Sequence, residues 1–432
     1  MQEEIQALQD NHTWDLIICP FDVKHIGFKW VYSVKFRPDG SLEKYKARLV
    51  VLGNRQECGI DYEETFESVA EMTAVRTILA LAASQGWSLQ QMDIQFDSFL
   101  FLRKTSAGII LLLVYVDDIV ITGSNTKLIK QLQQHLKASF HMKDLGPLQY
   151  FLGLEVQLTP TGTLLHQHKY TQDVISLGGL QSGNSVFTPL VVNLKLRQEE
   201  RELLSDPSLY WQLVWSLNYL TITHPDISFI VQQVSPFIQV ARHLHLAVVH
   251  RIIRYLKGTS TQELFFPKRS SLQLVVHSDA DWARCTDTRR SVTSWCMFLG
   301  NALISWKSKK QDRVSKSSTE SEYRAMSSTC SEITWLLGLL GELGFPQLHP
   351  TPLHADNTST IHIAANHVFY ERTKHIEVDY HSIRESFDKH EITFPIISTK
   401  LQTADIFTKA LSRHWHQFLV DKLIVLDPPI SI

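Results

Sequence analysis

The sequence predicts an α+β multidomain protein whose last part forms a mixed sheet flanked by helices. Three observations lead there. The chain has 432 residues, enough for two to four domains of roughly 100–200 residues each. Hydrophobic residues make up 44% and charged residues 20%, a globular balance rather than a disordered one. Short β-branched runs ending in turn residues alternate with helical periodicity, and from Leu272 onward the order reads βββαβα…βα.

The elements follow from local pattern. Residues 1–35 suggest a short helix and an irregular lead into a strand at Lys29–Phe36. Pro38-Asp39-Gly40 is a turn signal that pairs this strand with Tyr45–Leu52. Thr73–Ser84 reads as a helix, and a short strand ends near Asp93. Phe99–Leu102 and Ile109–Val116 flank Thr105-Ser106-Ala107-Gly108 and suit a hairpin, followed by a tight reversal at Val116-Asp117-Asp118-Ile119. Residues 126–140 read as helix, Leu148–Leu158 as strands, and 205–257 as mostly helical. Gly258-Thr259 closes that region, and a loop is expected to about Ser271.

Further on, Leu272–Ser278, Ser291–Leu299 and Ala302–Trp306 read as successive strands. From Ser317 a long helix carries Tyr323, Met326, Cys330, Ile333, Leu337 and Leu340 at steps of three and four, with Ser317 and Glu320 spaced as a capping box. Leu353–Ala355 is a strand, followed by a helix through Ala365 and a polar helix over Lys374–His390. Ile392–Ser398 reads as a strand, and Thr403 as the cap of a final helix.

Composition restricts function. A net charge of −2 gives no general basic field, so nucleic-acid contact needs local patches. The five cysteines are scattered without a CxxC pair, so no zinc site is expected, and their odd number and scatter suggest a reducing, intracellular setting. The polar N-terminus has no signal-peptide character. The run Ile109–Val116 is too short to span a membrane and ends in two aspartates, so it is expected to be a buried strand.

Two carboxylate constellations carry chemistry. Tyr115-Val116-Asp117-Asp118 puts adjacent carboxylates where a strand turns, and Gln91-Met92-Asp93-Ile94 supplies a third at a strand end. Unpaired burial of such groups is costly, so they are either exposed or bound to a cation. Three converging aspartates suit two Mg2+ ions that activate a 3′-hydroxyl. The second set is Asp279, at a strand end in His277-Ser278-Asp279-Ala280-Asp281-Trp282, then Glu322 in a helix, Asp356 at a strand end and Asp405 in a helix turn. It too suits two Mg2+ ions, with Mn2+ as a substitute and no organic cofactor. Water would be the nucleophile and a phosphodiester the electrophile. Glu320 competes with Glu322, Asp281 reads as a solvated neighbour, and His375 and His381 read as surface or core histidines.

These motifs resemble the reverse transcriptase and ribonuclease H regions of Ty1/copia-type retrotransposon Pol polyproteins. The resemblance rests also on 44–50 (KYKARLV), 61–66 (DYEETF), 143–146 (KDLG), 150–153 (YFLG), 254–259 (RYLKGT), 316–325 (KSSTESEYRA) and 371–377 (ERTKHIE). It implies polymerase metal ligands at Asp93, Asp117 and Asp118, and fingers residues Lys46 and Arg48 facing a deoxynucleoside triphosphate (dNTP). It also implies a primer-gripping hairpin with Tyr150, Phe151 and Gly153, and ribonuclease H ligands at Asp279, Glu322, Asp356 and Asp405. The implied layout is fingers/palm over 1–158, a mostly helical thumb/connection region over 159–268, and an α/β ribonuclease H-like domain over 269–425. The implied partners are template-primer nucleic acid and RNA/DNA hybrid, with no membrane, in a cytoplasmic particle or the nucleus. Basic clusters expected to meet phosphates are Arg251, Arg254 and Lys257 on one helix face, and Lys309 and Lys310 with Lys307, Arg313 and Lys316.

The pattern breaks at one place. Only 23 residues separate Asp93 from Asp117, where the family carries a longer segment with an LYGLKQ-like nucleotide-pocket motif that this chain lacks. The expectation is an internal deletion with its junction near 95–96 and a crippled polymerase. The rival reading is a catalytically inert, nucleic-acid-binding relic of a transposable element.

Overall fold

The computed structural model describes residues 27–36, 42–51, 72–93, 99–115, 118–139, 143–192, 194, 196–197, 199, 202–365, 377–423 and 425–426. The expected N-terminal helix, the 38–40 turn, the 61–66 motif, the 95–96 junction, Asp117 and His375 lie outside them. Contacts divide the chain into two compact units, Met1–Val69 and Ala70–Ile432. In the first, β1 (Phe28–Phe36) pairs antiparallel with β2 (Leu42–Val51). Lys46 stands opposite Ser33 and Arg48 opposite Val31, and the Lys46 and Arg48 side chains lie outside the described set.

The second unit is mixed α/β with three five-stranded sheets. It opens with α1 (Met72–Gln85), whose residues Thr73–Ser84 are all buried, Arg76 among them. Next come β3 (Ser88–Asp93), β4 (Phe99–Thr105), β5 (Gly108–Tyr115), β6 (Asp118–Gly123), α2 (Thr126–Ser139) and β7 (Lys143–Pro147). They build an antiparallel sheet in the order β4-β5-β6-β3-β7. The hairpin read over Phe99–Val116 is present and longer than expected. Two strands separate β3 from β4 in the sheet, and only residues 94–98 connect them in sequence.

The second sheet holds β8 (Tyr150–Phe151), β9 (Leu154–Leu158), β10 (Gly162–His166) and, later in the chain, Glu263–Pro267, with Val425–Leu426 at its far edge. Between them lie α3 (His168–Leu177), α4 (Ser208–Leu220), α5 (Ser228–Val234) and α6 (His243–Gly258). These four helices gather a core of their own around Tyr210, Leu217, Ile230 and Ile253. Glu263–Pro267, here β11, corrects the loop expected up to Ser271. It pairs with β10, about a hundred residues earlier, and no local pattern announces a partner that distant.

The third sheet comprises β12 (Leu274–Ala280), β13 (Val292–Leu299), β14 (Ala302–Lys310), β15 (Thr351–His354) and β16 (Ile392–Thr393), in the order β14-β13-β12-β15-β16. The first three strands are antiparallel, and β15 and β16 join in parallel. Around it stand α7 (Ser318–Leu343), α8 (Thr358–Ala365), α9 (Glu377–Asp388) and α10 (Arg413–Lys422). On α7, Tyr323, Met326, Cys330, Ile333 and Leu340 are buried, and Leu337 packs partly buried beside them.

Three expectations need correction. Ser317 Oγ accepts the Glu320 N–H at 3.1 Å, but the Glu320 carboxylate takes the Lys316 N–H at 2.8 Å, so only half of the capping box forms. The Ile392–Ser398 strand stops at Thr393, because Pro395 has no N–H for the ladder, and pairing resumes only as a bridge at Ile396. The element at 403 is a 3-10 turn, Thr403–Phe407, capped by Gln402; the final α-helix starts ten residues later.

One apolar core runs from α1 through the second sheet into the third. Arg76 joins α1 to β14. Its Nε donates to Ile304 O at 2.8 Å, its Nη1 to Ile222 O at 3.2 Å, and its guanidinium lies 3.8 Å over the Trp306 ring.

Candidate metal centre

Parallel pairing of β12 with β15 brings the C-terminal ends of both strands to one edge, where Asp279 closes β12 and Asp356 follows β15. The second turn of α7 brings Glu322 to the same place. Each of the three offers an oxygen, and these atoms lie within 4.8 Å of one another. Asp279 and Glu322 are buried, and Asp356 is half-buried. Glu320 points elsewhere: its carboxylate holds the Lys316 N–H and Arg324 Nη2, the latter at 2.7 Å.

The turn bearing Asp405 is pinned to the sheet by side chains reaching main-chain carbonyls. Gln402 Nε2 donates to Ser278 O at 2.9 Å, Ser294 Oγ to Ala404 O at 3.1 Å, and Ser308 Oγ to Phe407 O at 2.7 Å. Asp405 does not belong to the three-oxygen set. A lysine connects it: Lys409 Nζ is 2.6 Å from Asp405 Oδ1 and 3.4 Å from Asp279 Oδ2. Thr408 Oγ1 also donates to Asp279 Oδ2. Sequence reading passed over Lys409 and Thr408; the i,i+4 spacing of Asp405 and Lys409 was the available signal.

The electrostatics are those of crowded, buried anions. Burial first, then Asp279 and Asp356, pushes the Glu322 carboxyl well above the usual range. Glu322 Oε2 is buried without a hydrogen-bond partner. Burial, then Asp279, pushes Asp405 up to about 7 against the pull of Lys409. Burial lowers the Lys409 ammonium, but Asp279 and Asp405 outweigh it and hold it above its ordinary value. Such a set is short of positive charge, and its all-oxygen donors suit a hard divalent cation. Asp281, expected to be solvated, is buried instead. Its Oδ1 accepts the Val292 N–H at 2.6 Å, which braces the strand after Asp279, and burial pushes its carboxyl up to about 7.

In the antiparallel sheet, Asp93 stands directly opposite Asp118 in register. Gln91 Nε2 donates to Asp118 Oδ1 at 3.2 Å. The Asp93 side chain and all of Asp117 lie outside the described residues.

The expected nucleic-acid contacts divide. Tyr150 and Lys309 are exposed, and Lys307 is exposed with its ammonium 4.7 Å from the Trp295 ring centre. Phe151 is corrected to a core residue, 2% exposed, because alternation along β8 turns it inward. Gly153 serves a turn: Leu152 and Gly153 both have positive φ, and Tyr219 Oη donates to Leu152 O at 2.6 Å, close enough that a Cβ on Gly153 would clash with it. Lys257 is committed to the carbonyls of Gln181 and Gly183, and Arg251 Nη2 to Thr188 Oγ1 at 3.0 Å. Arg254, on the same face, is half-buried. Lys310 turns away from Lys309 and reaches Cys285 Sγ at 3.3 Å. His381 is exposed on α9 against Tyr380. Among the described residues, no helix is long and apolar enough to cross a membrane.

Fold and site together define a mixed α/β protein with a buried carboxylate cluster at a sheet edge. The family model described as reverse transcriptase (RNA-dependent DNA polymerase) matches residues 11–102 and 95–192 as two segments. The retrovirus-related Pol polyprotein from transposon RE2 of Arabidopsis thaliana is 35% identical over 495 residues, covering 100% of this chain and 34% of its own length. An uncharacterized mitochondrial protein of the same plant is 42% identical over 52% of this chain and 93% of its own. Among solved structures, an N-terminal RNase H domain from Mycobacterium tuberculosis, fused to maltose binding protein, aligns over 35% of this chain and 98% of its own at 10% identity, with a TM-score of 0.24. A score that low says nothing about function. The chain belongs to the copia-type retrotransposon Pol polyprotein family, and it spans about a third of the length of the Pol polyproteins it matches.

Proposed function

We propose that residues 269–425 form a ribonuclease H-like unit that cleaves RNA in RNA/DNA hybrids, joined through a helical connection over 159–268 to a reverse transcriptase remnant over 1–158. The convergence of Asp279, Glu322 and Asp356 oxygens within 4.8 Å carries this reading. The three carboxylates, with Asp405 beside them, fit Mg2+, with Mn2+ as a substitute. When bound, two such ions would supply a nucleophilic hydroxide and stabilise charge on the scissile phosphate. Asp279 and Glu322 are held by the sheet and by α7. Lys409 offsets charge between Asp405 and Asp279, and Thr408 orients Asp279 through its hydroxyl. Exposed Lys307 and Lys309 on the edge strand β14 offer phosphate contacts, so binding should weaken steeply with salt. The hybrid would be read by duplex shape and the 2′-hydroxyl.

Polymerisation is proposed to be lost or crippled, although Asp93, Asp117 and Asp118 remain. Two findings support an internal deletion. The family model matches in two pieces that meet at 95–102. The 495 aligned positions with the RE2 polyprotein exceed the 432 residues of this chain by 63, so that relative carries stretches this chain lacks.

One preparation tests both halves. The purified chain should cut a labelled RNA/DNA hybrid in Mg2+ and fail to extend a primer with dNTPs. Processive extension would overturn the second half, and an uncut hybrid with folded protein the first.

A further inference from the structure

A second ligand cluster lies outside the carboxylate site, where β10 passes into α3. His166 ends β10, His168 begins α3, and Glu263 begins β11, one step beyond the last β10–β11 pair, Leu165 with Leu264. The bend at Gln167 (φ −138°, ψ 45°) brings the two imidazoles onto one side, stacked with centroids 3.8 Å apart. His168 Nε2 is 3.4 Å and His166 Nε2 3.7 Å from Glu263 Oε1. The ligand atoms of all three residues lie within 4.8 Å of one another.

The arrangement is unsatisfied as it stands. Glu263 is 4% and His166 8% exposed. Separations of 3.4–3.7 Å are too long for good hydrogen bonds, which run about 2.7–3.2 Å. His166 Nδ1 and His168 Nε2 are buried without partners. Glu155 faces His166 Nδ1 from the other side at 3.7 Å, while its second oxygen accepts the Lys169 N–H at 3.0 Å. A buried carboxylate facing imidazole nitrogens at non-bonding separations, two of them without partners, is a costly arrangement.

The same separations are those of ligands around one ion. Metal–ligand bonds of about 2.0–2.2 Å in a tetrahedron put neighbouring donor atoms roughly 3.3–3.6 Å apart. Two imidazoles and a carboxylate select a borderline transition ion over Mg2+. We propose that His166, His168 and Glu263 bind one divalent transition-metal ion of the Zn2+ class, with the fourth position left to water. The ion would tie β10, β11 and the start of α3 together, independently of the carboxylate site.

The test uses the full chain in excess Mg2+, which keeps the oxygen cluster occupied while Zn2+ or Co2+ is titrated. The expected result is one Zn2+ per chain, visible Co2+ bands on substitution, and a Zn2+-dependent rise in the urea midpoint. His168→Gln, at a side chain 30% exposed, and Glu263→Gln should each weaken Zn2+ binding by more than about 100-fold, since even outer-shell changes cost 10–100-fold. Asp356→Asn should leave it unchanged. X-ray absorption of the Zn2+-loaded wild type should show imidazole scattering, a readout that needs no variant to fold. No Zn2+ retained by folded wild type, retention in both ligand variants, loss in Asp356→Asn, or a spectrum without imidazole would each overturn the proposal.

Discussion

Replacing Glu322 by glutamine should make the metal-free protein more stable and the metal-loaded protein less responsive, a reversal of sign that few accounts of this residue would produce. Glu322 is 7% exposed, its Oε2 lacks a partner, and Asp279 and Asp356 crowd it. Its folded-state pKa is raised, so the protonated form is the comfortable one. The stability this group contributes is therefore fully present below its unfolded pKa and is lost as pH rises. Glutamine removes that loss, and its amide can donate to the two aspartates. In EDTA at pH 7–8 the gain should be on the order of 1–2 kcal/mol, since replacing an uncompensated buried charge is commonly stabilising. The gap should shrink toward pH 5. In Mg2+ at about 100 times its Kd the wild type should gain roughly 2.7 kcal/mol by mass action, and the variant little. Urea unfolding with and without Mg2+ measures both differences. A variant that is less stable in EDTA by more than about 1 kcal/mol, and as responsive to Mg2+ as wild type, would refute the reasoning.

Three other outcomes follow from packing and titration. Gly153→Ala should cost about 2–4 kcal/mol in urea unfolding, combining a left-handed backbone with a Cβ placed on Tyr219 Oη, whereas Tyr219→Phe, which loses only the bond to Leu152 O, should cost about 1 kcal/mol. Burial, then His354, lowers His277 to about 3, so its contribution is complete above pH 6.5 and is lost as pH falls toward 3. His277→Gln should flatten that acid limb by up to about 3 kcal/mol, read from stability at pH 4 against pH 7. Arg76→Leu leaves the Ile304 and Ile222 carbonyls without this donor and should cost about 2–4 kcal/mol, in a single calorimetric transition if α1 and the third sheet unfold together.

What the sequence made legible was whatever local periodicity controls. The stripe on α7, the 99–115 hairpin and the antiparallel β12–β14 run follow from spacing two or three to four residues apart. Metal-ligand candidates at strand ends were legible for the same reason, because a polar residue closing an apolar strand marks an edge. What was missed depends on distant partners. β11 is defined by β10, Asp281 is buried by its bond to Val292, and Lys257 is occupied by a loop some 75 residues away. The His166–His168 pair showed nothing in sequence until β11 brought Glu263 beside it. Pro395 is a local signal as well, since a residue without an N–H ends the ladder that the surrounding apolar residues suggest.

The most direct test of the central claim is cleavage of a labelled RNA/DNA hybrid, beside single-stranded and double-stranded RNA, by wild type and by Asp356→Asn. Asp356 is the half-buried member of the cluster, so its neutral isostere should fold. The account predicts Mg2+-dependent cutting of the RNA strand of the hybrid alone, abolished in the variant. Cutting that survives Asp356→Asn, or no cutting by a folded wild type, would contradict it.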